Sequence, residues 1–183
     1  MSIINHQSLR DAITQYHGPG HGVAVCVIDE QGAGAQAQTP HQALVLAHVV
    51  PMGIPVYFVE LNPHPAAGPN LPTRPQLAAA APAATVITKQ HINAFAPNVL
   101  PNFQTMLQAN PNPTTTLVVM GYSAQQCVRA TAIGGADGPR AHPGITRPGA
   151  VQLGYTVLTS QLVLRGGPAT WTMERGVRFY AAV

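Results

Sequence analysis

Three side chains of complementary chemistry stand where apolar runs end. Asp29 closes GVAVCVID, Lys89 closes TVITK, and Cys127 follows the run TTTLVVMG after the five residues YSAQQ. A thiol supplies a nucleophile, a carboxylate can take its proton and pass it to a leaving amine, and an ammonium can hold the carboxylate and stabilise negative charge. The segment SAQQCVRATAIGG reads as a helix, which places Cys127 in its first turn. There the unpaired N–H groups and the helix dipole favour thiolate over thiol, so Cys127 is expected to be partly ionised and accessible. Backbone N–H groups of the same turn are suited to binding the oxyanion of a tetrahedral intermediate. Cys26, inside a continuous apolar run, reads as an inert core residue.

These residues can meet only if the runs that carry them lie side by side. GVAVCVID, IPVYFVE, TVITK, TTTLVVMG, GYTVLTS and GVRFYAAV have strand length. The first, GVAVCVID, is a continuous apolar run ending in an acid, the pattern of a strand buried on both faces. Around these runs, Ser8 can cap a helix over LRDAITQYH, and Pro40 can open a crossover helix over 40–52. A short helical piece is expected near 76–81, a helix over 97–108, and a short one near 168–175. Alternation of strands and helices predicts an α/β fold in three layers, with a mainly parallel six-stranded sheet and helices on both faces. Ligands in such sheets bind beyond the carboxyl ends of the strands. Asp29, Glu60, Lys89 and the Gly121 to Cys127 turn all fall there. The two stretches rich in Pro and Gly, 61–84 and 134–148, read as loops bordering a site.

Composition narrows the function classes. A chain of 183 residues fits a single domain over 1–183. Charged residues make up only 8%, so part of the surface is expected to be covered by other subunits of a homo-oligomer. The net charge of +3 comes from dispersed Lys and Arg with no basic run, which is no nucleic-acid footprint. The apolar stretches are too short for a bilayer, no export signal opens the chain, and a cytoplasmic location is expected. The eight histidines are scattered without metal-ligand spacing.

At its strand ends the chain resembles the isochorismatase-like cysteine hydrolases, which include nicotinamidases and N-carbamoylsarcosine amidohydrolase. VAVCVIDEQ resembles the family's first strand with its aspartate. VITKQHINAF resembles the lysine segment, and LVVMGYSAQQCVRATA the nucleophile turn. The resemblance implies a Cys127, Asp29, Lys89 triad, an oxyanion hole from the N–H groups of Ser123 and Cys127, a cis peptide at Tyr122-Ser123, and assembly as a dimer or tetramer. The chain also departs from the pattern. Ala124 stands where a Thr is usual, Gln125 replaces an acid, and Gln161-Leu162 replaces an Asp-Ala pair. The Asp-x-His pair of metal-binding nicotinamidases is absent between the first two strands, so no catalytic metal and no cofactor are expected.

The expected activity is hydrolysis of a carbon-nitrogen bond in a small amide, imide or carbamoyl compound through a thioester. His91, Asn93 and Tyr122 are candidates for the substrate pocket, and Trp171 and Tyr180 read as core or subunit contacts. Two rival readings are an isochorismatase-type hydrolase acting on a non-amide bond, whose branch typically lacks the cysteine, and a catalytically silent binding scaffold.

Overall fold

The computed structural model describes residues 7–62, 71–96, 102–136 and 145–183. Helix α1 (Leu9–Tyr16) begins in a reciprocal cap in which Ser8 accepts from Asp11 N–H and the Asp11 carboxylate accepts from Ser8. Strand β1 (Gly22–Ile28) is buried at every position. After it come α2 (Thr39–Val49), a 3-10 turn at Val50–Met52, β2 (Val56–Leu61), α3 (Pro75–Ala80), β3 (Thr85–Lys89), α4 (Phe103–Gln108) and β4 (Thr114–Tyr122). The helix expected over 97–108 is described only from Phe103, with Asn102 as its cap; 97–101 lie outside the described residues.

Helix α5 (Cys127–Ile133) starts four residues later than expected, because Ser123 to Gln126 form the turn itself. The expected loop after it holds a small antiparallel pair, β5 (Gly135–Ala136) with β6 (Thr146–Arg147), while 137–144 lie outside the described residues. The chain ends with β7 (Thr156–Ser160), a 3-10 turn at Gln161–Val163, β8 (Leu164–Arg165), a second 3-10 turn at Thr170–Met173, and β9 (Val177–Tyr180).

The main sheet has seven strands in the order β3-β2-β1-β4-β7-β9, with β8 also paired to β4, and every pairing is parallel. The path runs outward from β1 to β3, then jumps back to β4 and continues to β7. With right-handed crossovers, that reversal puts α2 and α3 on one face and α4 and α5 on the other. It also opens a crevice between the carboxyl ends of β1 and β4, the place where such folds bind ligands. Asp29 and the β4-α5 turn flank it.

Two backbone features let the strands end this way. Asp29 adopts a φ of 52°, a left-handed conformation that Asp tolerates better than most residues, and turns the chain while its N–H still bonds Val59 O at 2.9 Å. Gly121 has a φ of 128°, and a Cβ there would lie 2.1 Å from Ile28 O, so only glycine lets β4 approach the end of β1 so closely. No helix among the described residues is long and apolar enough to cross a membrane.

Candidate active site

Lys89, the last residue of β3, is fully buried. Its ammonium donates to Asp29 Oδ2 at 2.9 Å and to the His91 carbonyl at 3.0 Å. A buried ammonium is tolerated only when it is paired with opposite charge and hydrogen-bonded in this way. Burial pushes the Lys89 pKa down, but the Asp29 carboxylate and Cys127 outweigh it and the net shift is upward. The ammonium stays charged and its carboxylate partner is held in place.

Asp29 presents its other oxygen differently. Oδ1 is buried and makes no well-formed hydrogen bond, and the carboxylate raises the Cys127 pKa.

Asp29 and Lys89 meet in an ion pair at 2.9 Å and both act on the pKa of Cys127, whose state differs from the expected one. Cys127 is 6% exposed, and burial pushes its pKa up to about 12 from 9.0; Lys89 lowers it and Asp29 raises it. Helix α5 has only seven residues, and the dipole of so short a helix does not offset removal of the sulfur from water. Cys127 rests as a buried thiol, neither accessible nor partly ionised. The role drawn for Cys26 agrees with its surroundings: it is fully buried in β1, and burial pushes its pKa up.

These shifts share one sign. The two thiols and Lys89 all bind their protons more tightly when folded, so their contributions are complete below the unfolded pKa values and fade as pH rises toward the folded ones. We expect urea midpoints to fall between pH 8 and pH 10.5, with Cys127→Ala falling less than the parent. Equal losses in both proteins would mean that the thiol is not held in its protonated form.

The Tyr122-Ser123 peptide is cis, as the resemblance implied. The N–H groups of Ala124, Gln126 and Val128 bond carbonyls of Arg165, Ser123 and Ser123. Among the described residues those of Ser123 and Cys127 donate to no backbone carbonyl outside regular elements.

The pocket candidates separate. His91 is buried and gives its backbone carbonyl to Lys89. Asn93 is buried with its amide committed to the fold, donating to Pro148 O at 2.9 Å and accepting from Phe95 N–H at 2.8 Å. Tyr122 is half-buried beneath the Arg165 guanidinium, 3.7 Å from the ring centroid. A cleft of about 370 Å³ lies by the far end of α5, lined by Arg129, Gly134, Arg147 and Arg175, away from Cys127.

A buried polar cluster beside Asp29 was not expected. Glu30 accepts from Gln38, Gln42 and Arg74 at 3.0, 3.1 and 3.0 Å, and Arg165 Nε stands 3.7 Å away. Arg74 N–H also bonds Glu30 O at 2.8 Å, and Gln31 grips Leu61 and Leu71 through both ends of its amide. The residues following Asp29 are therefore clamped. Glu60, expected at the site, is instead taken up by Thr73, whose N–H and hydroxyl both donate to it. Gln38, at the N-cap position of α2, and Gln42 one turn further on are the sequence feature that could have pointed to this cluster. Among the described residues, no group of three His, Cys, Asp or Glu side chains is arranged to hold a metal ion.

Residues 23–138 match the family model described as the isochorismatase domain. Solved structures with similar folds include a pyrazinamidase/nicotinamidase from Streptococcus mutans (TM-score 0.61, 16% identity, covering 86% of this chain and 99% of that one). A nicotinamidase from Bacillus subtilis is also similar (0.60, 13%, 86% and 98%), as is an isochorismatase family protein from Burkholderia thailandensis (0.58, 19%, 86% and 90%). Among curated proteins, none matches the sequence.

Proposed function

Because the chain belongs to the isochorismatase family, we propose that it is a cysteine hydrolase that cleaves a carbon-nitrogen bond in a small amide, imide or carbamoyl compound. The observation that carries this reading is the burial of Cys127, Asp29 and Lys89 together at the carboxyl edge of the sheet. With the thiol pKa at about 12, prior ionisation at pH 7 would cost on the order of 7 kcal/mol. Attack therefore proceeds as Asp29 takes the proton.

The sulfur bonds the substrate carbonyl carbon, and the oxyanion that forms is received by the Ser123 and Cys127 N–H groups. As the intermediate collapses the C–N bond breaks, and Asp29 returns its proton to the departing nitrogen. Water, deprotonated by Asp29, then attacks the thioester; the acid leaves and the thiol is restored. Lys89 keeps the carboxylate in place throughout. A screen of small amides and carbamoyl compounds for ammonia release, and of imides for formation of the acid-amide product, with Cys127→Ala as control, tests the reading.

The active form is a homo-oligomer. Both sheet edges carry exposed apolar side chains, Val86 on β3 at 52% and Phe179 on β9 at 40%, and unpaired edges of this kind invite pairing or cover. Light scattering is expected to give at least twice the 19.2 kDa of one chain. A monomer mass would refute it.

A further inference from the structure

The residue at the centre of the nucleophile turn is held at both of its peptide groups by one later segment. Ala124 N–H donates to Arg165 O at 2.7 Å, and Ala124 O accepts from the indole N–H of Trp171, also at 2.7 Å. Ala124 is fully buried and Trp171 is 3% exposed.

The segment that carries these partners is itself fastened over the turn. Gln161 accepts from Ala169 N–H at 3.1 Å and donates to Gly167 O at 3.2 Å. Gln125 donates to Pro168 O, and Thr172 closes the strap on Ala169 O at 2.9 Å. At Gly166, φ 97°, a Cβ would lie 2.8 Å from Ser123 Oγ and 3.2 Å from the Tyr122 ring, so the strap rests on the turn itself.

From this arrangement we infer that Trp171 is a positioning residue: its N–H, brought in by the 165–171 strap, fixes the turn that aims the Cys127 sulfur and the neighbouring N–H groups at the substrate. This rests on Cys127 being the nucleophile. Hydrogen bonds to a carbonyl cannot be supplied by Phe, while ring burial can. Trp171→Phe therefore removes the positioning bond and keeps most of the packing.

A positioning role and a merely structural one differ in what they do to the two cysteines. If the turn loosens locally, water reaches Sγ of Cys127 while Cys26, sealed in β1, stays protected. We expect Trp171→Phe to raise iodoacetamide labelling of Cys127 at least fivefold with Cys26 unlabelled, as read by peptide mapping. On any amide the parent hydrolyses, kcat falls about tenfold with KM within twofold. Trp171 is the only tryptophan, so labelling Cys127 in the parent should also shift the emission of the folded protein.

Gln125→Ala, which loses one strap contact outside the core, carries the same expectation at twofold or more. It decides the matter if Trp171→Phe exposes both cysteines together. Should the parent hydrolyse no amide, the functional reading fails while the labelling still tests positioning. Labelling of Cys127 at the parent rate in a folded Trp171→Phe, or in Gln125→Ala where the first variant unfolds, overturns the inference.

Discussion

Replacing Cys127 by Ala is expected to reduce amide hydrolysis to background, a loss of roughly 10⁴-fold or more in kcat/KM, because a residue that forms the covalent intermediate cannot be bypassed. Stability should change little, since the thiol is small and its nearest polar partners, Asp29 and Lys89, retain each other at 2.9 Å. Cys127→Ser is expected to be as inactive, because the hydroxyl is the weaker nucleophile. The assay is ammonia release from the best substrate of the screen, with unfolding by urea measured in parallel. Retained turnover in Cys127→Ala would remove the thioester and favour the isochorismatase-type reading, in which hydrolysis needs no thiol. A parent that turns over no compound would favour the silent scaffold.

The parts of this site that depend on strand ends were legible because burial on both faces leaves an unbroken apolar run. The runs at Gly22–Ile28 and Thr114–Tyr122 show that pattern, and the polar residue that ends each one marks the edge of the sheet. Short elements were not legible. Leu164–Arg165 is a two-residue strand whose existence depends on pairing with Gly121 and Tyr122, a tertiary fact that no local period encodes. Helix α5 was placed too early because SAQQ has ordinary helical residues. What overrides them is the bond from Ala124 N–H to Arg165 O.

Electrostatics was the least legible layer. A cysteine in a first helical turn suggests a thiolate, and that inference fails here because burial removes the sulfur from water. Ala124, Gln125 and Gln161 depart from the residues usual in the family. In the structure the Ala124 carbonyl and both glutamine side chains bind the 165–171 strap, so the nucleophile turn is supported from a different direction.

Lys89 carries the second large effect, and it separates stability from catalysis. Lys89→Met removes the ammonium and leaves the Asp29 carboxylate 2% exposed without its ion-pair partner. Breaking a buried pair from one side costs about 3 to 5 kcal/mol, which for a chain of this size lowers Tm by roughly 6 to 20 °C. Activity should fall by about 10³-fold, since an unpaired buried carboxylate takes up a proton and no longer accepts one from the thiol.

The double variant Asp29→Asn with Lys89→Met removes both charges. An amide in place of the carboxylate needs no counter-ion, so much of the stability should return, with a coupling of about 2 kcal/mol or more between the two sites. Activity should not return, because the amide cannot serve as a base. Urea denaturation of the parent, both single variants and the double variant gives the coupling directly, and ammonia release gives the activities. Additive losses of stability would show that the 2.9 Å contact is not a coupled pair. Turnover recovered in the double variant would show that Asp29 is not the proton acceptor for Cys127.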